Sequence, residues 1–306
     1  MTQIKKDFNG FSIDGSTYRP NIRYTGEQKE VLPAGMYIPK FNRNTGDFWL
    51  EKMEVTSDNI LDLPSPEYTR VTKEIQQFLR PETKAKFLEM GYMYKRSALL
   101  HGAPGGGKTV VANRVIRDVV QQGGVVLWGS CELELIQHTF KILNNTQPDD
   151  MTMVVFEEFD SIVKSYESEL LTLLDGQVQK NNVIYLATTN YLDKIPKRIY
   201  RPGRFSSVIE VKFPIPEARA AYFKHKLGEV KELATLVAKT DGLSIDELKE
   251  IVQSVYILGY NIDTEITRLL DTRGVPQENR LGLSSIYGIS SSLFNSEDND
   301  FEIEES

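Results

Sequence analysis

A glycine-rich segment between an apolar stretch and a helical pattern limits the possible folds of this chain more than any other feature. Residues 102–109 read Gly-Ala-Pro-Gly-Gly-Gly-Lys-Thr, directly after the apolar Ala98–His101. Glycines let consecutive backbone N–H groups point inward around a phosphate, and a following helix N-terminus adds partial positive charge. Lys108 is placed to reach the outer phosphates and Thr109 to ligate Mg²⁺. The segment therefore predicts a strand, a phosphate-binding loop and a helix.

The predicted nucleotide contacts extend one residue into that helix. They are Gly102, Ala103, Pro104, Gly105, Gly106, Gly107, Lys108, Thr109 and Val110. The alternative is a glycine-rich turn without a ligand. It leaves unexplained why a lysine and a hydroxyl stand where nucleotide binding needs them.

A second apolar stretch, Met153–Phe156, ends in two adjacent carboxylates, Glu157 and Glu158. Carboxylates at the end of a buried strand are costly unless a cation lies nearby, and nucleotide-bound Mg²⁺ would supply that cation. We expect Glu157 to hold the metal through water and Glu158 to polarise the water that attacks the γ-phosphate. The alternative is an acidic surface turn.

Short apolar stretches alternate with helical patterns through the middle of the chain. The predicted strands are Ala98–His101, Val125–Trp128, Met153–Phe156 and Val183–Ala187. Such alternation predicts an α/β fold in which a parallel sheet carries helices on both faces. Together with the phosphate loop, this is the sheet of a P-loop NTPase.

The pattern predicts four regions along the chain. Residues 1–62 are expected to form a small β-containing accessory or client module, with a hairpin over Gly35–Val55. Residues 63–214 form the α/β nucleotide-binding domain, and residues 215–273 form an all-α lid domain. The final region, 274–306, is Ser-rich and then acidic, which predicts a flexible tail.

Composition excludes several classes of protein. The chain has 306 residues, 40% of them apolar and 26% charged, as expected for a globular protein. No stretch of about 18 apolar residues predicts a membrane span, and Met1–Gly15 lacks the apolar core of a signal peptide, so we expect a cytoplasmic protein without membrane insertion. The net charge of −7 limits any nucleic-acid contact to a local patch. One cysteine and three scattered histidines leave oxygen atoms as the metal ligands.

These motifs resemble the AAA branch of the AAA+ ATPases over roughly Leu79–Ile257. The stretch Val155–Ile162 is similar to the second acidic motif of that family, and Leu170–Gly176 to the helix that follows it. Ala187–Asn190 is similar to the sensor strand, which implies that Asn190 detects the γ-phosphate and helps to orient the attacking water.

The resemblance also assigns the segment Tyr200–Phe205, which is similar to the arginine-finger segment of the family. It implies that Arg201 and Arg204 reach the nucleotide of a neighbouring subunit, and hence a hexameric or heptameric ring of identical chains. The alternative is a solvated basic patch that includes Lys197 and Arg198, or one that grips nucleic acid.

Two departures from the family pattern bear on mechanism. Glu157 stands where the family usually has Asp, which keeps the charge on a longer side chain. The stretch Cys131–Asp150 is short and lacks the aromatic-hydrophobic-glycine loop with which threading members grip polypeptide. In outline the chain most resembles the group of the mitochondrial Rieske-protein translocase, without its membrane anchor.

The sequence therefore predicts Mg²⁺-dependent ATP hydrolysis by a ring that remodels a macromolecular client, expected to be a protein. Two alternatives stay open. One is a DNA-handling ATPase of the clamp-loader or helicase-loader type, with the local basic cluster as its nucleic-acid contact. The other is an assembly protein that uses ATP only to set its oligomeric state.

Overall fold

The computed structural model describes residues 10–20, 28–53, 61, 63–129, 132–175 and 180–272. These residues belong to two compact units that divide between Asp246 and Glu247. The predicted tail, 274–306, lies outside the described residues, as do Cys131 and Gly176.

The first unit is built on one sheet, whose ten described strands follow the order β10-β6-β9-β8-β7-β4-β5-β2-β1-β3. The strands are β1 (Phe11–Asp14), β2 (Thr17–Pro20), β3 (Gln28–Lys29), β4 (Gly35–Asn42), β5 (Asp47–Met53), β6 (Lys95–His101), β7 (Val125–Gly129), β8 (Thr152–Phe156), β9 (Val183–Thr189) and β10 (Ser207–Glu210).

The five strands from β10 to β7 pair in parallel, which confirms the predicted parallel sheet. All residues of β8 and β9 are buried. Strands covered on both faces are apolar throughout, and this explains why their sequences do not alternate between polar and apolar residues. Because the strands are parallel, their carboxyl ends lie at one edge of the sheet, where ligands bind in open α/β folds.

The front hairpin joins this same sheet. Strands β4 and β5 pair antiparallel around the predicted turn, in which the Asn42 side chain accepts a hydrogen bond from the Asn44 N–H at 2.9 Å. This confirms the hairpin. On its other side β4 pairs in parallel with β7, with Gly35 opposite Val125, so the front strands extend the nucleotide-binding sheet rather than forming a sheet of their own. The domain boundary at residue 62 stays a prediction.

Helices cover both faces of the sheet, as predicted. Apolar residues of α1 and α3 pack on one face, and those of α4 and α5 on the other. The helices of the first unit are α1 (Pro66–Phe78), α2 (Pro81–Glu89), α3 (Lys108–Gln121), α4 (Leu133–Thr146), α5 (Phe159–Asp175), α6 (Pro216–Leu227) and α7 (Leu233–Lys239). Side chains of β8 alternate between the two layers, because Val154 and Phe156 join one cluster and Met153 and Val155 the other.

The segment Ser244–Gly259, whose sequence pattern is that of one helix, is not a continuous α-helix. It consists of α8 (Ile245–Ile251), within which the two units divide, followed by a π-helix over Val252–Ile257. The second unit ends its described part with α9 (Ile262–Thr272). None of the helices that the structure describes is long and apolar enough to span a membrane.

A buried polar cluster links the segment before β4 to the residues that follow α4. The Gln147 side chain accepts a hydrogen bond from the Leu32 N–H at 2.6 Å and donates to the Leu32 carbonyl at 3.3 Å. The Lys180 ammonium donates to the carbonyls of Gln147 and Pro148, and burial lowers the pKa of this lysine to about 8. One glutamine therefore satisfies both backbone polar groups of a buried residue ahead of β4.

We predict that Gln147→Ala destabilises the protein by about 1–3 kcal/mol, because the substitution leaves the N–H and carbonyl of Leu32 buried without partners. Chemical denaturation measured by circular dichroism gives the free energy of unfolding. The matched control is Gln76→Ala, an exposed glutamine of α1, for which a change within about 0.5 kcal/mol is expected. Equal effects of the two substitutions would contradict the role assigned to Gln147.

Candidate active site

The loop between β6 and α3 has the conformation that phosphate binding requires. Gly105 and Gly107 have φ of 71° and 94°, in the left-handed region that glycine adopts without strain. Gly102 lies so close to the next strand segment that an added Cβ would stand 2.2 Å from the Val211 carbonyl oxygen. The glycines are thus required by the backbone geometry.

Lys108 opens α3 and is largely buried, with 8% of its surface exposed. Its ammonium donates hydrogen bonds to the carbonyls of Gly102 at 3.0 Å and Ala103 at 2.7 Å. Burial lowers its pKa, because the charged form loses water. Phosphate oxygens beside this ammonium would offer it charged acceptors in place of neutral ones.

The two carboxylates that follow β8 differ in environment. Glu157 is partly buried, which raises its pKa, while a hydrogen bond from Thr109 opposes that shift and the nearby Glu158 adds to it. Glu158 is exposed and has a φ of 46°, a conformation that residues other than glycine rarely adopt. Strained backbone of this kind clusters at functional sites, because the surrounding structure fixes a side-chain direction there.

One cavity of about 270 Å³ collects most of the predicted site residues. Its lining comprises Pro104, Gly105, Gly107, Lys108, Thr109, Val110, Glu157, Glu158, Thr188, Thr189, Asn190, Ile245 and Asp246. Three predicted contacts do not line it: Gly102 and Ala103, whose carbonyls accept hydrogen bonds from Lys108, and Gly106, which lines an adjoining cleft. The cavity lies where the carboxyl ends of β6, β8 and β9 meet.

Arg201 and Arg204 do not line this cavity, and their surroundings differ. The Arg204 guanidinium contacts Asp175 at 2.6 Å and donates to the Arg198 carbonyl at 2.6 Å. Arg201 is exposed, and its side chain forms no hydrogen bond or ion pair with the residues that the structure describes. Arg204 is thus paired within its own chain and Arg201 is exposed, and the predicted role of both in a neighbouring site stays a prediction.

The oxygen atoms at the cavity suit Mg²⁺. Mg²⁺ binds protein through one or two carboxylate or hydroxyl oxygens and takes its remaining ligands from phosphates and water. Thr109 and Glu157 both line the cavity, next to Glu158. Within the described ranges, no group of three or more His, Cys, Asp or Glu residues is placed to hold a metal ion.

An apolar cleft adjoins the cavity at the phosphate loop, and no motif in the sequence predicted it. It shares Gly107, Val110 and Ile245 with the cavity, and is further lined by the segments 63–67 and 211–215. Its lining is mostly apolar, apart from a few residues such as Arg114 and Lys212. Neither segment carries a sequence motif. The only sequence signal for the cleft is that the two segments stand at the start and the end of the predicted nucleotide-binding domain, 63–214.

The entry of α8 also reaches the phosphate loop. The Ile245 N–H donates to the Gly105 carbonyl at 3.2 Å, and an added Cβ on Gly105 would stand 2.9 Å from the Ser244 hydroxyl. Ile245 and Asp246 line the cavity. The signal for them in the sequence is the segment 241–244, Asp-Gly-Leu-Ser, which resembles the entry of the third lid helix of the AAA family.

Comparison with known proteins agrees with this geometry. The model of the ATPase family associated with various cellular activities (AAA) matches residues 98–213, which run from β6 to just beyond β10. This range contains the phosphate loop, both carboxylates and the segment with the two arginines.

The chain is similar to three proteins of known name. The chain is 29% identical to the proteasome-activating nucleotidase of Archaeoglobus fulgidus over 66% of this chain and 56% of the relative. It is 27% identical to the vesicular-fusion protein SEC18 of Candida albicans over 58% of this chain and 25% of the relative. It is 27% identical to the vesicular-fusion protein SEC18 of Saccharomyces cerevisiae over 56% of this chain and 27% of the relative. The chain thus spans between a quarter and just over half of the length of these relatives, and its residues 98–213 match the AAA family of ATPases.

Proposed function

We propose that this protein hydrolyses ATP with Mg²⁺ at the cavity between the phosphate loop and the ends of β8 and β9. The observation that carries the proposal is the convergence of an ammonium, a hydroxyl, two carboxylates and an amide in that one cavity, from Lys108, Thr109, Glu157, Glu158 and Asn190. These groups come from three separate segments of the chain. Phosphoryl transfer depends on positioning and charge stabilisation, and this set supplies both.

Each residue has a distinct task in the reaction. The loop N–H groups and Lys108 bind the phosphates, and Glu158 accepts a proton from the attacking water. The water oxygen forms a bond to the γ-phosphorus, while the bond from that phosphorus to the β–γ bridging oxygen breaks. Asn190 orients the water. The products are ADP, phosphate and a proton.

Thr109 and Glu157 would hold Mg²⁺, which supplies charge neutralisation on the phosphates when bound. Partial burial of Glu157 favours this assignment, because a desolvated carboxylate gains most from a nearby cation. The longer side chain, in place of the usual aspartate, suits contact through a water molecule.

The apolar cleft beside the phosphate loop is proposed to take the adenine base. It adjoins the cavity through Gly107, Val110 and Ile245, so a single nucleotide could place its base in the cleft and its phosphates in the cavity. Stacking and apolar contacts suit a flat base, whereas the cavity beyond Ile245 is polar and charged.

We infer a ring of identical chains, hexameric or heptameric, in which Arg201 completes the site of the next subunit. Arg201 is exposed and without a hydrogen bond or ion pair among the described residues, and it stands away from the cavity of its own chain. A planar guanidinium can stabilise charge on a transferring phosphoryl group. Arg204 supports the same loop through Asp175.

The client is proposed to be a protein, and the site of action the cytoplasm. The similar proteins are named for vesicular fusion and for proteasome activation. Helix α4 begins at Leu133, shortly after β7 ends at Gly129, which leaves little chain for a pore loop between them. We therefore propose remodelling without hand-over-hand threading.

The ion pairs around the arginine segment weigh against the DNA-handling alternative. Arg198 pairs with Glu167, and Arg204 with Asp175. Two of the four basic side chains in the predicted patch are thus neutralised by carboxylates of α5. Since affinity for nucleic acid depends on unpaired positive charge, this surface suits a defined protein contact better than a phosphate backbone.

We predict that Glu158→Gln keeps ATP binding and lowers the turnover number at least 100-fold, because the amide cannot accept the proton of water. Lys108→Ala is expected to weaken ATP binding instead, since it removes the buried ammonium. Isothermal titration and steady-state phosphate release separate the two effects. Parental turnover by Glu158→Gln would contradict the choice of base.

We predict that Arg201→Ala chains bind ATP and fold like the parent but lose turnover. Because the variant removes a group from the site of its neighbour and leaves its own Glu158 intact, mixing it with inactive Glu158→Gln chains should restore part of the turnover. Lys197→Ala, an exposed lysine nearby, is the matched control and should keep the parental turnover. A mixture of Arg201→Ala and Glu158→Gln chains that stays inactive would argue against a shared site.

A further inference from the structure

Two loops of the cavity carry the groups that must cooperate on water. Glu158 follows β8, and Asn190 follows β9. The ladder between these strands ends with the pair Phe156 and Ala187, so it does not extend to either functional residue. Some other contact has to set their relative positions.

A hydrogen-bonded chain spans this gap. The Thr189 hydroxyl donates to an Asp160 carboxylate oxygen at 2.6 Å and accepts a hydrogen bond from the Tyr191 N–H at 3.0 Å. Asp160 lies in the first turn of α5, two residues after Glu158. The acceptor bond from Tyr191 closes a tight turn around Asn190, so one hydroxyl joins the base-bearing segment to the turn that presents the amide.

The environment makes this contact strong. Thr189 is 1% exposed, so water does not compete for its hydroxyl. A hydrogen bond from a hydroxyl to a carboxylate is charge-assisted and short. The hydroxyl uses its single proton toward Asp160 and a lone pair toward Tyr191, and only serine could replace threonine in both roles.

We propose that Asp160 and Thr189 are positioning residues for ATP hydrolysis, which fix Asn190 relative to Glu158 so that both act on one water molecule. This inference rests on the proposed function. Neither residue needs to contact the nucleotide for this role. Their effect therefore falls on the chemical step, whereas the phosphate loop and Lys108 continue to determine binding.

We predict that Thr189→Val lowers kcat about 10- to 100-fold and changes KM for ATP less than threefold, since displacement of catalytic groups by about 1 Å costs rate at that scale. Thr189→Ser should restore kcat to within about threefold of the parent, because it keeps both hydrogen bonds. Asp160→Asn keeps an acceptor oxygen and should lose less than Asp160→Ala. Steady-state kinetics on the full-length chain measures all four variants.

The matched control is Thr172→Val, which removes an exposed threonine hydroxyl that bonds only within α5 and should leave kcat unchanged. Circular dichroism and ATP titration confirm that each variant is folded and binds nucleotide. If Thr189→Val fails to fold, the comparison of Asp160→Asn with Asp160→Ala provides the same test.

The outcomes separate this inference from the proposed function. Parental kcat in Thr189→Val and Asp160→Ala, with an active parent and an inactive Glu158→Gln, overturns the positioning role alone. An effect on KM rather than on kcat also overturns the positioning role. A loss of kcat in Thr189→Val that Thr189→Ser does not restore has the same meaning. A parent without ATP turnover overturns the proposed function and this inference together.

Discussion

The parallel register of β6, β9 and β8 is the constraint on which the rest of the structure depends. It brings three chain segments that are far apart in sequence to one edge of the sheet, where each adds a different chemical group. The phosphate loop follows β6, the carboxylates follow β8 and Asn190 follows β9. Because each strand is buried on both faces, a shift in register would expose apolar surface as well as separate the site.

Burial at this edge of the sheet also shifts the pKa values of two charged groups. Desolvation raises the pKa of Glu157 and lowers that of Lys108, so both groups are held where their charged forms are least favourable without a ligand. Under the proposed function, a metal-bound nucleotide would bring a cation to Glu157 and phosphate oxygens to Lys108. The site is therefore arranged to gain from binding a ligand that carries both signs of charge.

Local motifs were readable from sequence, whereas features that depend on distant partners were not. The phosphate loop, the carboxylate pair and the hairpin follow from residues close together in the chain. Strand β10 was missed because it is four residues long and its partner β6 lies far back in the sequence. The pairing of Arg204 with Asp175 likewise joins residues that are 29 positions apart in the chain. The resemblance to the Rieske-protein translocase group stays a prediction.

The pairing of β4 with β7 has a mechanical consequence. A module joined by a flexible linker could swing while the ATPase stays still, but strands that share a hydrogen-bonded ladder move with their neighbours. The buried contact of Gln147 with Leu32 adds a second attachment on the same side. The front strands would thus move together with the nucleotide-binding sheet, and a client bound to them would move with both.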